Sequence, residues 1–373
     1  MDYRRKIFAH RNPYDLQNTD SLFFDAVKEN LRFHERHCPE YARILRHMDF
    51  HTDCLKSVSD LYKIPPIPTL FFKSHELYSI PKDRLMYNVT SSGTGGRQSH
   101  VGFDRGSLYH ALRMVLGTFS YYRLISPHPT NYIVLGYEPS DHNRMGAVKT
   151  AYGVTKLAPA LNREYALKDT GDGYRLNMEG VKNALIRYER MRFPVRFMGF
   201  PAYMYFLVKD LKESNIRLKL HKKSKVFLAG GWKKFFSEKV DKNELYRMIE
   251  ETLGIGEENC KEFFGAVEHP IVYCDCKNHH FHVPVYSRVL IRDLNTLEPV
   301  ENGKVGLLNL ITPLVESVPL LSVITDDLAV MRDGKACGCS IASPYFEILG
   351  RAGLQDVKTC AAEASELMGG IKV

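Results

Sequence analysis

The sequence predicts an α/β protein: a large domain of mostly parallel sheets flanked by helices, then a small β-rich subdomain, then a short C-terminal tail. Three observations carry this expectation. From about residue 105 to 282, short apolar runs alternate with helical ones, the pattern of parallel sheets. From Val283 the runs turn short and β-rich, separated by turn residues. A chain of 373 residues is long enough to bury a large core.

Residues 20–37 open on Asp20-Ser21 and set Phe23, Phe24, Val27 and Leu31 at helical spacing, which predicts an amphipathic helix. Residues 64–68, IPPIP, break that spacing and read as a connector. Strands follow at 132–135, 195–198 and 226–229, each leading into Gly. In such sheets ligands bind beyond the C-terminal strand ends. Further strands are expected at 285–291, 305–311, 320–325 and 328–331, forming an antiparallel unit. The last strand, 345–349, runs into Gly350-Arg351, and a helix is expected at 357–368. The implied boundaries are 1–282, 283–349 and 350–373.

Hydrophobic residues make up 44% and charged residues 25%, the composition of a folded soluble chain. The opening MDYRRKIFAHRNPYD has no apolar signal region, and no run nears the ~18 apolar residues of a membrane span. No membrane span and a cytoplasmic location are therefore expected. There the eight cysteines are thiols or metal ligands, and Cys274/Cys276 and Cys337/Cys339 are too close-set for a disulfide framework. The net charge is +8. The basic run at 217–225, RLKLHKKSK, is too short and too poor in aromatics for a nucleic-acid groove. It reads as a solvated loop before a strand, or as an attractor of an acidic partner such as CoA phosphates or an acidic carrier protein.

Four loops carry chemistry. Residues 89–99, VTSSGTGGRQS, combine three glycines with hydroxyls from Ser91, Ser92 and Thr94 and the charge of Arg97. Such backbone can close its N–H groups around an anion, although the same composition also serves as a connector. The Walker A ending is missing. Residues 227–235, FLAGGWKKF, end a strand with paired glycines and the only tryptophan, either as a strand-to-helix turn with Trp232 covering the core or as backbone beneath a flat ring such as adenine. Residues 263–269, FFGAVEH, put Glu268 just after an apolar strand, on the surface or beside Mg²⁺ and a triphosphate. Thr325-Asp326-Asp327 interrupts β-like sequence, as a charged turn or as acceptors for a ribose diol.

The segments TSSGTGG (90–96), GFP (199–201), Gly230-Gly231, FGAVE (264–268), Thr325-Asp326-Asp327 and Gly350-Arg351 resemble, in order and rough spacing, the acyl-adenylate-forming superfamily over about residues 60–360. Within it the chain looks like the acyl-protein synthetase (LuxE-type) and phenylacetate–CoA ligase-like branch. FFKSHE (71–76), GGWK (230–233) and HVP (282–284) followed by Arg292-Asp293 favour the LuxE-type side.

The resemblance implies that Ser91, Ser92, Gly93, Thr94 and Gly96 hold the β,γ-phosphates of ATP. Gly230 and Gly231 would border the adenine with Phe264 and Gly265. Glu268 would meet Mg²⁺, Asp327 the ribose, and Arg351 the nucleotide at a hinge. Gly95 stands where the family carries a second Thr, and Phe264 and Val267 depart from its usual Tyr-Gly-x-Thr-Glu.

Only residues 352–373 follow that hinge, too few for the usual lid domain with its catalytic lysine; Lys358 is the nearest candidate. The tail does carry Cys360, where LuxE-type synthetases place a thiol that accepts the acyl group. Nine residues beyond Arg351, at about 3.3 Å each, reach roughly 30 Å. Neighbouring Lys358 would favour the thiolate. The alternative is a small buried hydrophobe on a terminal helix.

Cys274, Cys276, His280 and His282 precede a second cluster, Cys337 and Cys339, and together can supply a tetrahedral Zn²⁺ site. Phenylacetate–CoA ligase-like proteins show a comparable arrangement. The expected ligands are Cys276, His282, Cys337 and Cys339, with Cys274 and His280 as alternates and unligated turn cysteines as the other reading.

The resemblance thus implies ATP-dependent activation of a fatty or aryl acid to acyl-AMP, then transfer to a thiol. That thiol is Cys360, serving a partner such as an acyl-CoA reductase-like enzyme; the alternatives are direct transfer to CoA or a carrier protein, and an inactive nucleotide- or acyl-binding module. Residues 144–157 and 203–207 are candidates to line the acyl pocket.

Overall fold

The computed structural model describes residues 2–91, 98–143, 145–231 and 240–352. The chain divides into two compact units, residues 1–122 with 265–373, and residues 123–264. The boundary expected at 282/283 is not where the contacts divide, because the first 122 residues pack with the β-rich region.

The first unit opens with helices α1 (Tyr3–Phe8), α2 (Asp20–His37) and α3 (Pro39–His47), strand β1 (Ile67–Pro68), the antiparallel hairpin β2 (Tyr87–Thr90) and β3 (His100–Phe103), and helix α4 (Arg105–Tyr121). Helix α2 covers the span read from its apolar spacing and buries Phe23, Val27 and Leu31. That face of α2 and Arg4 of α1 carry polar groups that grip the segment at 313–316. Asn30 Nδ2 donates to Val315 O at 3.0 Å, His34 Nε2 lies 3.1 Å from that oxygen, and Arg4 Nε donates to Pro313 O at 2.8 Å. These donors satisfy carbonyls that would otherwise be buried without partners.

The second unit holds strand β4 (Thr130–Tyr137), helix α5 (Gly146–Val154), β5 (Ala160–Asp169), β6 (Tyr174–Leu176), helix α6 (Met178–Met191), β7 (Val195–Gly199), helix α7 (Pro201–Glu213), β8 (Lys225–Ala229), helix α8 (Lys242–Leu253) and β9 (Cys260–Ala266). Strands β9, β8, β7, β4 and β5 lie side by side and parallel, and β6 adds antiparallel at the edge. All five residues of β7 are buried, as a central parallel strand requires. Val181, Leu185 and Tyr188 of α6, Leu207 and Leu211 of α7, and Ile249 and Leu253 of α8 join Val195, Phe197 and Val226 in one core. The run at 217–225 is not wholly solvated: Leu218 and Leu220 reach this core, and buried Ser224 accepts a hydrogen bond from Val195 N at 3.0 Å.

The chain returns to the first unit with β10 (His269–Cys274), β11 (Phe281–His282), β12 (Arg288–Arg292), β13 (Val305–Ile311), β14 (Ser322–Arg332) and β15 (Tyr345–Arg351). A sheet in the order β11-β15-β14-β13-β12 is antiparallel, with β1 added parallel to β14. Two sequence expectations are corrected here. The connector at 64–68 contains β1, where Ile67 and Pro68 run alongside Val323 and Ile324. The two strands expected at 320–325 and 328–331 are one strand. Its partner β13 pairs Leu307 with Leu328 but Asn309 with Ile324, so residues 325–327 bulge opposite Leu308. Gly350 and Arg351, read as a hinge, end β15.

Candidate functional site

In the first unit the phosphate-loop candidate is anchored at its base. Ser91 N donates to Ser99 O at 3.1 Å, and Ser99 N donates back to Ser91 Oγ at 2.9 Å. Ser92, Gly93, Thr94 and Gly96 lie outside the described residues, as does Cys360. Ser99 is fully buried, and its hydroxyl donates to Glu268 Oε1.

Glu268 occupies the two-residue turn between β9 and β10, yet only 5% of it is exposed. Gly265, three residues earlier, allows that turn: a Cβ there would stand 2.9 Å from Ile271 O. Burial pushes the Glu268 carboxyl above the usual range, the Ser99 hydroxyl and the Lys73 charge pull it down, and Asp326 pushes it up. A buried carboxylate with a second carboxylate nearby is suited to a hard divalent cation.

The bulge in β14 turns Asp326 and Asp327 toward the end of β15. Arg351 Nη1 lies 3.6 Å from Asp326 Oδ2, and Arg351 Nε 3.5 Å from Asp327 Oδ1. Burial raises the Asp327 carboxyl, and Arg351 opposes the shift. Two groups of sequence candidates therefore form: Ser91 and Glu268 joined through Ser99, and Asp327 and Arg351 together with Asp326, whose charge acts on Glu268. Ser99 and Lys73 had no role assigned from the sequence, and Asp326 was read only as one of two acids for a ribose diol. Each stood in or beside a quoted motif, but only long-range contact reveals what it does.

The other nucleotide candidates belong to the second unit. Gly230 and Gly231 follow β8 with φ of 83° and 63°, consecutive left-handed residues that favour glycine. Phe264 is on neighbouring β9. Gly199 ends β7 with φ of 151°, and a Cβ there would overlap Leu135 O. These residues sit at the C-terminal edge of a parallel sheet, where α/β folds bind ligands.

A separate cluster forms in the first unit from Cys276, His282, Cys337 and Cys339. Their ligand atoms all lie within 4.8 Å of one another, and all four residues are buried. Cys276 and Cys337 sulfurs are 3.5 Å apart, and Cys339 Sγ is 3.1 Å from His282 Nε2. A tetrahedral zinc with bonds of about 2.3 Å to sulfur spaces two thiolates by roughly 3.8 Å, so small adjustments suffice. His282 Nδ1 lies 2.6 Å from Ser343 O. A proton there leaves Nε2 free for a metal. Burial raises the Cys337 thiol, and the adjoining Cys339 and Cys276 sulfurs raise it further. Of the alternates, His280 Nδ1 lies 3.2 Å from Cys337 Sγ, while Cys274 Sγ is turned to Asp275 O. All four ligands lie in one unit, so a metal would tie the β10–β11 region to the β14–β15 loop within it.

With that geometry in hand, residues 6–368 match the profile of the acyl-protein synthetase family, LuxE. The chain belongs to this family. It is 26% identical over 351 residues to a long-chain-fatty-acid–luciferin-component ligase of Aliivibrio fischeri, covering 92% of this chain and 87% of that one. A ligase of the same name from Vibrio harveyi is 25% identical over 358 residues, covering 95% and 90%. Among solved structures, a 2-hydroxyisobutyryl-CoA ligase holding its acyl-adenylate and CoA superposes with a TM-score of 0.67 at 15% identity, covering 91% of this chain and 76% of that one. A long-chain-fatty-acid-CoA ligase from Archaeoglobus fulgidus gives 0.50 at 10% identity, covering 74% and 53%. The fold of this acyl-protein synthetase family member is that of adenylate-forming ligases. No helix among its described residues is long and apolar enough to cross a membrane.

Proposed function

We propose that the chain activates a long-chain or aryl carboxylic acid with ATP and passes the acyl group to a thiol, its own Cys360, in the cytoplasm. The observation that carries the reading is the linked set Ser91, Ser99 and Glu268 beside Asp326, Asp327 and Arg351. The family match and the luciferin-component ligases support an acyl–protein product.

In the first step a carboxylate oxygen of the acid attacks the α-phosphorus of ATP. The bond from that phosphorus to the bridging oxygen breaks, and pyrophosphate leaves. Mg²⁺, held by Glu268 with Asp326 close by, would supply charge neutralisation. The chain's own contribution is positioning and fixed charge. Ser99 orients Glu268, and the β14 bulge presents Asp327 for a ribose diol. Arg351 is poised against the same acids, ready to turn to the nucleotide. In the second step the Cys360 thiolate attacks the acyl carbonyl carbon, AMP leaves, and a thioester forms. A reductase-like enzyme then draws the acyl group from that thioester; CoA or a carrier protein is the competing acceptor.

Cys276, His282, Cys337 and Cys339 fit a structural Zn²⁺ by donor type, burial and spacing. The test of the activation step is ATP–pyrophosphate exchange across fatty and aromatic acids. Exchange that rises with one acid class is the expected result, and no acid-dependent exchange by folded protein would remove the reading.

A further inference from the structure

A second concentration of charge lies in the second unit, at the opposite edge of its sheet from Gly199 and Gly230. Strands β4, β7, β8 and β9 begin at Thr130, Val195, Lys225 and Cys260. Residues at and just before those starts line a cavity of about 340 Å³. Its walls include Arg123, Arg196, Lys222, Lys223, Lys225 and Asn259, and no carboxylate side chain.

This is more than a solvated basic loop. Arg196 is 3% exposed, and its Nη1 has no hydrogen-bond partner among the described residues. It stands directly across from Lys225 in the β7–β8 register, so two cations leave the sheet side by side on one face. Like charges in opposed positions weaken a sheet, and a buried unpaired charge costs several kcal/mol. The Arg196 neighbour that moderates this is the Tyr132 hydroxyl, not an acid. Burial lowers the Lys225 ammonium first, and the Arg196 and Lys261 charges lower it further, against a smaller opposing effect from Glu258. Lys225 Nζ lies 3.3 Å from Asn259 Oδ1, and Lys223 Nζ lies 3.0 Å from His128 Nε2. Exposed Lys222 and Lys223 stand at the mouth. A concave site lined by one sign of charge concentrates counter-ions of the other.

We propose that this cavity is a binding site for a small phosphate-bearing polyanion. At about 340 Å³ it is at the small end of ligand pockets, which suits a pyrophosphate or bisphosphate group. The Arg196 guanidinium, bonded to the Tyr132 hydroxyl but with Nη1 unsatisfied, supplies the buried anchor and the lysines complete the charge. The shared chemistry, two adjacent phosphates, is offered both by free pyrophosphate and by the phosphates of CoA. The site is independent of the adenylate-forming reading, since none of its residues belongs to that machinery.

The test is isothermal titration at constant ionic strength with inorganic pyrophosphate, CoA and dephospho-CoA, using the full chain. Saturable binding of pyrophosphate or CoA is expected, at least tenfold weaker in Lys222→Gln/Lys223→Gln and weaker again when Lys225→Gln is added. These lysine changes leave acid-dependent ATP–pyrophosphate exchange at the parental rate. Glu268→Gln, which strikes the activation site, leaves this binding intact, so failure of one reading is distinguishable from failure of the other. Pyrophosphate binding assigns the site to a free polyphosphate. Equal binding of CoA and dephospho-CoA without binding of free pyrophosphate assigns it to the diphosphate of the cofactor. Binding by neither probe, or binding unchanged in the lysine variants, overturns the proposal.

Discussion

Replacing Ser99 with Ala separates the support of Glu268 from its chemistry. The Ser99 side chain is fully buried and donates its hydroxyl to a carboxylate that is itself 5% exposed, while its backbone N–H bonds independently to Ser91 Oγ. The substitution therefore removes one charge-assisted hydrogen bond and little else. Such bonds contribute about 1.5–3 kcal/mol, against about 0.5–1.5 for a neutral pair. In urea titrations Ser99→Ala is expected to cost about 2 kcal/mol in the parent and about 1 in a Glu268→Gln background, a coupling of roughly 1 kcal/mol. The donor also favours the ionised form of Glu268. Its loss raises that carboxyl further, so the acid limb of exchange activity moves to higher pH. A cost below about 0.5 kcal/mol in both backgrounds, with an unmoved acid limb, refutes the Ser99–Glu268 linkage.

Glu268→Gln should abolish acid-dependent exchange without loss of stability. Because burial raises the folded carboxyl above its unfolded value, ionising it costs the native state, and stability falls as pH rises through that window; a neutral amide escapes the cost. A large drop in the urea midpoint would mark Glu268 as structural instead. Protein purified without added metal should contain about one zinc per chain by elemental analysis, and Cys337→Ser should lose the metal and several degrees of thermal stability. No metal in well-folded protein contradicts this. His34 and His269 are fully buried and held to about 3 by that burial. The unfolded chain takes up protons near 6.5 that the native chain refuses. This contribution is therefore complete above about pH 6.5 and erodes toward pH 3, by up to about 2.7 kcal/mol per pH unit for the pair. Equal urea stability at pH 7.5 and pH 5 would contradict it.

Elements with a strong local signature were legible. The apolar spacing from Phe23 to Leu31 located α2, and the β-branched and apolar run at 305–311 located β13. Reading 326 and 327 as a break failed because acids in a strand are tolerated where a bulge frees them from the ladder and Arg351 lies across the sheet. The parallel strand at Ile67 was hidden by its prolines, since only its pairing with Val323 gives it a strand's identity. The Cys/His cluster was legible from residue type, and it gathers the sulfur of Cys276, while that of Cys274 is turned to Asp275 O. What sequence could not supply was long-range polar contact. Ser99 meets a carboxylate 169 positions away, and Arg196 looks like one polar residue in an apolar strand until Lys225 is found beside it.

The most direct measurement of the central claim is covalent. The chain would be incubated with Mg·ATP and an isotopically labelled fatty acid, digested, and mapped by mass spectrometry before and after neutral hydroxylamine. The account predicts an ATP-dependent acyl adduct on the peptide bearing Cys360, stripped by hydroxylamine and lost in Cys360→Ser, which still supports ATP–pyrophosphate exchange. Exchange with no adduct on Cys360, and acyl transfer to CoA at an undiminished rate in Cys360→Ser, would contradict it.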